Sequence, residues 1–205
     1  MNSLIQMQAV VESPYYEGEF LCPWPIPKFK PLSMIHLCGE MTYPEIGLVF
    51  AQLAKYNQIE LEKKKQTVLE QILEIESLVL PGGIQIVSED KVIPPSCCCG
   101  LETWREWIDF LQTGHSPWLG HDPSPWVEHQ GNIIRIWSDG YTEPTRDAFY
   151  VEVSRPDFEK ALICVERELQ AFLFSIESWA QDISFAGSNK LFQKFDHCFQ
   201  IWKAA

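Results

Sequence analysis

Apolar residues recur at steps of three and four after Ser154, which is the spacing of one buried helix face. Ser154 suits an N-cap position, Pro156 is tolerated in a first helical turn, and Asp157 complements the positive end of the helix dipole. We therefore predict a long helix near residues 156–180 and expect its apolar face to form core. That face comprises Phe158, Leu162, Val165, Leu169, Phe172 and Ile176.

Three further segments carry helical spacing. After Pro44 the apolar positions predict either one long helix or two helices that are broken near Asn57. Residues 101–113 place apolar side chains on one face and end at Gly114, a residue type that commonly follows a helix C-terminus. The apolar spacing in residues 191–202 predicts a last helix. The apolar face of the 101–113 segment comprises Leu101, Trp104, Trp107, Ile108 and Leu111.

Short apolar runs between these helices predict strands. Residues 84–86 and 92–93 flank a polar tip, and residues 126–129 and 133–138 flank a turn that contains glycine, as in a hairpin. Residues 148–153 alternate between apolar and polar positions, as a half-buried strand does.

Helices at both ends of the chain around a few central strands favour the α+β class. We expect a small, mostly antiparallel sheet packed with several helices, in one domain over residues 1–205. Residues 13–33 contain five prolines and Trp24, so they favour an extended strap that lies across an apolar surface of the same chain.

The chain is acidic, with a formal net charge of −12 over 205 residues. This charge argues against a nucleic acid backbone or an anionic membrane surface as the main partner. The first residues lack the basic start and apolar core of a signal peptide, and no apolar run approaches the roughly 20 residues of a spanning helix. We therefore expect a cytoplasmic protein whose seven cysteines are reduced and mostly buried.

The densest chemistry lies in residues 94–139, which hold five of the eight tryptophans, three of the five histidines and three adjacent cysteines. Free cysteines commonly behave as small buried hydrophobes, so we interpret Cys97, Cys98 and Cys99 as structural and predict no metal ion and no cofactor.

Two other interpretations of the triplet remain open. The start of the 101–113 helix would stabilise a thiolate, with His115 or His121 as its base, which would make a reactive thiol. Alternatively, one or two of the cysteines bind zinc with His115 or His121. The spacing does not favour zinc, because adjacent cysteines are expected to point in divergent directions.

A repeated Ser-Pro-Trp unit follows the helix, at residues 116–118 and 124–126. Its prolines would present Trp118, His121, Asp122 and Trp126 with little loss of entropy on ordering, which favours a binding surface. Stacking that fastens the loop to the core would need the same residue types, so both interpretations stay open.

The block CCCGLETWREWIDFLQTGHSPWLGHDPSPW resembles one found in a group of uncharacterised bacterial cytosolic proteins, which are loosely similar to toxin-immunity proteins. The resemblance implies a protein-binding role. Together with the acidic charge, it leads us to expect a binding protein for a basic protein partner, with a toxin as one candidate, and no enzymatic activity. The alternative is a cysteine-thiolate enzyme or a redox or zinc-binding protein that uses Cys97–Cys99 with His115 or His121. The oligomeric state is not predicted.

Overall fold

The computed structural model describes residues 5–141 and 145–202. The chain divides into two compact units, Met1–Val10 with Gly82–Arg167 and Val11–Pro81 with Glu168–Ala205. Helices and two small antiparallel sheets confirm the α+β class. Whether the chain forms the single domain expected from its sequence stays a prediction. Within the described part, no helix combines the length and the apolarity needed to cross a membrane.

Two of the helices begin at side chains that cap them. Ser154 donates a hydrogen bond from Oγ to Asp157 Oδ2 at 2.6 Å, and the backbone N–H of Asp157 donates back to Ser154 Oγ at 3.3 Å, so the predicted start of the long helix is confirmed. Thr42 caps the first helix by donating its backbone N–H to Glu45 Oε2 at 2.8 Å. The helices are α1 (Tyr43–Tyr56), α2 (Lys65–Glu74), α3 (Glu106–Thr113), α4 (Arg155–Asp182) and α5 (Ser188–Phe199).

The strands form two sheets where the sequence led us to expect one. The first sheet has four strands in the order β2-β1-β3-β4, and the second has three strands in the order β5-β6-β7. The strands are β1 (Gln6–Glu12), β2 (Met34–His36), β3 (Gly82–Val87), β4 (Val92–Ile93), β5 (Trp126–Gln130), β6 (Ile133–Trp137) and β7 (Tyr150–Ser154).

The three-stranded sheet buries one face and carries partly exposed aromatic rings on the other. Trp126 and Trp137 lie opposite each other in register and stack with ring centroids 5.8 Å apart, and Trp137 also contacts Tyr150 at 4.8 Å. The opposite face is core, as the alternation of apolar residues predicted. Its buried residues are Val127, Ile134, Ile136, Val151 and Val153.

The prediction of one helix over residues 101–113 is partly wrong. Residues Leu101–Thr103 form a 3₁₀ turn, and α3 begins only at Glu106. The Thr103 hydroxyl donates to the Gly100 carbonyl at 2.9 Å, and the Trp104 N–H donates to the Leu101 carbonyl at 3.1 Å. The second bond spans three residues, as in a 3₁₀ helix, and not the four of an α-helix. Apolar residues at steps of three suit this tighter turn, and Leu101, Trp104 and Trp107 are all buried.

The C-terminus of α3 matches the prediction. Gly114 adopts a left-handed φ of 74° and donates its N–H to the Phe110 carbonyl at 2.8 Å. Phe110, which the predicted apolar face omitted, is fully buried and stacks on His129 with ring centroids 4.3 Å apart. This packing fixes the segment that precedes the Ser-Pro-Trp loop.

In the second unit, the Pro-rich segment packs against its own chain. Trp24 is 5% exposed, donates its indole N–H to the Gly47 carbonyl at 2.8 Å and meets the Trp179 ring edge-on at 5.5 Å. The helical region after Pro44 is two helices, with the break at Asn57 that the sequence allowed. Helix α4 has residues in both units, and all six residues of its predicted face are buried, which confirms that part of the core.

Candidate metal centre

Three potential metal ligands converge in the first unit. Cys97 Sγ, Cys98 Sγ and a ring nitrogen of His121 all lie within 4.8 Å of one another. The two sulfurs are 3.5 Å apart, and both cysteines are exposed. Two sulfurs on a tetrahedral zinc ion lie about 3.8 Å apart when each Zn–S bond is about 2.3 Å. The separation of the two sulfurs is therefore close to that of a zinc site.

The convergence of adjacent cysteines contradicts the expectation that they point apart. An extended chain sends neighbouring side chains to opposite faces. Here Ser96 accepts the Cys99 N–H at 3.1 Å, which closes a four-residue turn with Cys97 and Cys98 at its centre. Cys98 adopts a left-handed φ of 65°, which turns the chain and brings its thiol to the side of Cys97.

An isolated antiparallel bridge brings His121 to the cysteines across 24 positions of sequence. The His121 N–H donates to the Cys97 carbonyl at 3.1 Å, and the Ser96 N–H donates to the Leu119 carbonyl at 2.9 Å. The Ser96 hydroxyl adds a bond to the His121 carbonyl at 2.9 Å. Backbone hydrogen bonds and the Ser96 hydroxyl therefore hold the two segments together.

Gly120 permits this close approach. Its φ is 94°, and a Cβ at this position would lie 2.5 Å from the Cys97 carbonyl oxygen and 2.7 Å from the Ser96 carbonyl carbon and oxygen. No side chain fits there, so this position in the loop requires glycine.

Asp122 orients the imidazole. Its Oδ2 lies 3.1 Å from His121 Nδ1, so this nitrogen carries the proton and donates to the carboxylate. Nε2 is then the nitrogen with a free lone pair for a metal ion. Metal-binding histidines almost always have such a second partner on the ring nitrogen that does not bind the metal. The side chains of His121 and Asp122 are 46% and 92% exposed, so solvent and ions reach the site.

Cys99 differs from its two neighbours. It is 6% exposed, and burial raises the pKa of its thiol to about 11. Its Sγ donates to the Trp118 carbonyl at 3.5 Å and lies 3.9 Å from Thr103 Oγ1. The structural interpretation therefore holds for Cys99 and is wrong for Cys97 and Cys98, which do not fill space in a core.

Two elements of the reactive-thiol interpretation are absent from this geometry. The thiolate was expected at the start of an α-helix, but the triplet is followed by a three-residue 3₁₀ turn, and α3 begins at Glu106. His115 is exposed and lies outside the cluster, and its backbone N–H donates to Thr113 Oγ1 at 3.2 Å. Of the two candidate bases, the structure brings only His121 to the exposed thiols.

Trp118 borders the cluster and is 42% exposed. Its indole N–H donates to the Cys98 carbonyl at 3.3 Å, and its ring centroid lies 6.3 Å from that of His121. The expected exposure of Trp118 and His121 is confirmed. The same loop is also fastened, because Pro117, Leu119, Gly120, Ser124 and Pro125 are buried.

Trp126, the other expected binding indole, belongs to the outer face of the three-stranded sheet, where it stacks on Trp137. Conversely, sequence analysis missed Glu106 and Ser96. Glu106 Oε2 accepts the backbone N–H of Trp118 at 2.7 Å, and Ser96 joins both segments of the site. Nothing in the sequence pattern marks either residue, because their contacts depend on the fold.

The remaining thiols also depart from the expectation. None of the seven cysteines forms a disulfide bond, but Cys99 is the only buried one, and Cys164 is exposed like Cys97 and Cys98.

Comparisons with models of known protein families, with curated proteins and with solved structures return no match. The resemblance to toxin-immunity proteins therefore stays a prediction.

Proposed function

We propose that this protein binds a zinc ion through Cys97 Sγ, Cys98 Sγ and His121 Nε2. The convergence of the two sulfurs and a ring nitrogen of His121 within 4.8 Å is the observation that carries the proposal. The sequence-based interpretation favoured no metal because it took adjacent cysteines to diverge, and the turn at Cys98 removes that objection.

The donor set selects the class of ion. Calcium and magnesium prefer oxygen ligands, whereas thiolate and imidazole suit zinc and softer ions. Two thiolates and one neutral imidazole balance the charge of Zn²⁺. Among the described residues the cluster supplies three ligands, so water or an exogenous ligand completes a tetrahedral shell.

The strained backbone at Cys98 supports the same proposal. A left-handed conformation costs a residue with a Cβ about 1–2 kcal/mol, and such outliers concentrate at functional sites. At position 98 glycine would relieve this strain, yet the chain has a cysteine whose thiol joins the cluster. Asp122 supplies the further bond that fixes the tautomer of His121.

The test measures bound zinc per chain after reduction, zinc loading and exhaustive dialysis. The parent protein should retain one equivalent, and Cys97→Ser, Cys98→Ser and His121→Ala should each lose it. Cys164→Ser and His115→Ala are matched controls, since each removes an exposed residue of the same type outside the cluster. Loss of zinc from the control variants, or retention by the three ligand variants, would contradict the proposed site.

A second candidate function is the binding of another protein through the Trp118 loop. The supporting observation is an indole that is 42% exposed on a backbone fixed by Glu106. Exposed indoles that are pre-ordered in this way are typical interface anchors, and truncating one costs ~2–4 kcal/mol of binding. The partner proposed from the acidic charge is a basic protein, with a toxin as one candidate.

Iodide quenching of tryptophan fluorescence tests the availability of this anchor. Trp118→Phe should remove a quenchable component and leave the melting temperature within about two degrees of the parent value. If the substitution removes no quenchable signal and lowers the melting temperature by several degrees, Trp118 serves only to fasten the loop.

A further inference from the structure

We propose that Cys97 and Cys98 form a reversible redox switch, in which oxidation of the pair to a disulfide releases the zinc ion. This inference rests on the proposed function. The regulator of the site is a mild two-electron oxidant of the peroxide class.

The two sulfurs are positioned for this reaction. They lie 3.5 Å apart, and a disulfide bond of about 2.05 Å requires a relative movement of about 1.5 Å. The residues are neighbours in sequence, so no loop must close and no distant segment must move. Both thiols are exposed, so a small oxidant reaches them without unfolding the protein.

The chemistry balances with hydrogen peroxide as the oxidant. One thiolate attacks a peroxide oxygen, the O–O bond breaks, and hydroxide leaves, which gives a sulfenic acid. The neighbouring thiolate attacks that sulfur, the S–S bond forms, and the second hydroxide leaves. The two sulfurs together lose two electrons, the peroxide gains them, and two protons from solvent convert the hydroxides to water.

Zinc binding and oxidation exclude each other, because each requires the same two thiolates. A disulfide sulfur carries no negative charge and is a poor ligand, so the oxidised site keeps only the imidazole of His121. One neutral nitrogen does not retain zinc against dilution. Cys99 does not replace a lost ligand, since it is buried and its thiol contacts the Trp118 carbonyl and the Thr103 hydroxyl.

The switch should reverse readily. Consecutive Cα atoms across a trans peptide are about 3.8 Å apart, whereas ordinary disulfides join Cα atoms about 4.4–6.8 Å apart. A disulfide between Cys97 and Cys98 is therefore strained. Strained and exposed disulfides have more oxidising potentials and are easily reduced by a dithiol.

The experiment treats the zinc-loaded protein with one equivalent of hydrogen peroxide and follows two quantities. A chromophoric chelator reports free zinc, and mass spectrometry of the peptide that contains Cys97 and Cys98 reports its covalent state. We expect one zinc ion released per chain, and loss of two hydrogen atoms from that peptide. A dithiol with fresh zinc should restore both signals.

Cys164→Ser is the matched control, because it removes an exposed thiol outside the cluster, and it should respond as the parent does. Three results would overturn the redox inference and leave the zinc site intact. The zinc-loaded protein would keep its zinc, gain oxygen atoms at Cys97 and Cys98, or form covalent dimers. A reduced protein that binds no zinc before any oxidant is added would overturn the proposed function itself, and with it the release.

Discussion

Gly120→Ala tests whether the metal site depends on the close approach of the backbone at Gly120 to that at Ser96 and Cys97. Gly131→Ala is its matched control, because Gly131 also has a positive φ, 65°, but a Cβ there would meet no atom within 4 Å. Both substitutions force alanine into a left-handed conformation, at a cost of about 1–2 kcal/mol. Only Gly120→Ala adds a collision, since its Cβ would lie 2.5 Å from the Cys97 carbonyl oxygen.

The magnitude of the difference follows from the bonds that the collision disturbs. Relieving it requires the two segments to separate, which weakens the bonds from His121 N–H to the Cys97 carbonyl and from Ser96 N–H to the Leu119 carbonyl. Each backbone bond contributes about 0.5–1.5 kcal/mol. We therefore expect Gly120→Ala to lower the free energy of unfolding by about 2–5 kcal/mol, against about 1–2 kcal/mol for Gly131→Ala.

Urea titration of the reduced, metal-free variants measures this difference, and competition with a chelator measures zinc affinity. Gly120→Ala should lose at least about tenfold in zinc affinity, while Gly131→Ala keeps the parent value. Equal destabilisation by the two substitutions, or unchanged zinc affinity in Gly120→Ala, would refute the claim that the backbone bridge positions His121.

Three further predictions concern the core, the second partner of His121 and the buried thiol. Leu169→Ala should lower the free energy of unfolding by about 2–5 kcal/mol in urea titration, because Leu169 is fully buried; a loss below about 1 kcal/mol would remove α4 from the core. Asp122→Asn should weaken zinc binding about 10–100-fold in chelator competition, because a neutral amide accepts the imidazole N–H less strongly than a carboxylate does. An unchanged affinity would show that the carboxylate does not orient His121. For Cys99, burial raises the thiol pKa from 9.0 unfolded to about 11 folded, so its contribution to stability is complete below pH 9 and is lost as the pH rises to about 11. Urea titration gives the difference in unfolding free energy between the parent and Cys99→Ala, and this difference should fall between pH 9 and about pH 11. A difference that does not change with pH would show that Cys99 is not a buried, neutral thiol.

The features that the sequence predicted are those that depend on local chemistry. The start of α4 needs only Ser154 and Asp157, and its buried face follows from apolar spacing, so both were predictable. The same holds for the hairpin of β5 and β6 and for Gly114 at the end of α3. In each case the residues of one short segment are enough to predict the structure.

The candidate site was not predictable in this way, because it depends on pairing between distant segments. The bridge between Cys97 and His121 joins positions far apart in sequence, and the turn at Cys98 has a left-handed φ. A positive φ at a cysteine contradicts residue preference, so spacing rules gave diverging thiols. The exposure of Trp118 was expected from its rigid neighbours, whereas its bond to the Cys98 carbonyl was not.

X-ray absorption at the zinc edge of the loaded, reduced protein tests the central claim most directly. We predict two sulfur ligands at about 2.3 Å and one imidazole nitrogen at about 2.0–2.1 Å, with a light atom in the fourth position. In Cys97→Ser the spectrum of any residual zinc should show fewer than two sulfur ligands, whereas Cys164→Ser should match the parent. A zinc shell of nitrogen and oxygen alone, or one that keeps both sulfurs in Cys97→Ser, would contradict a metal centre at Cys97, Cys98 and His121.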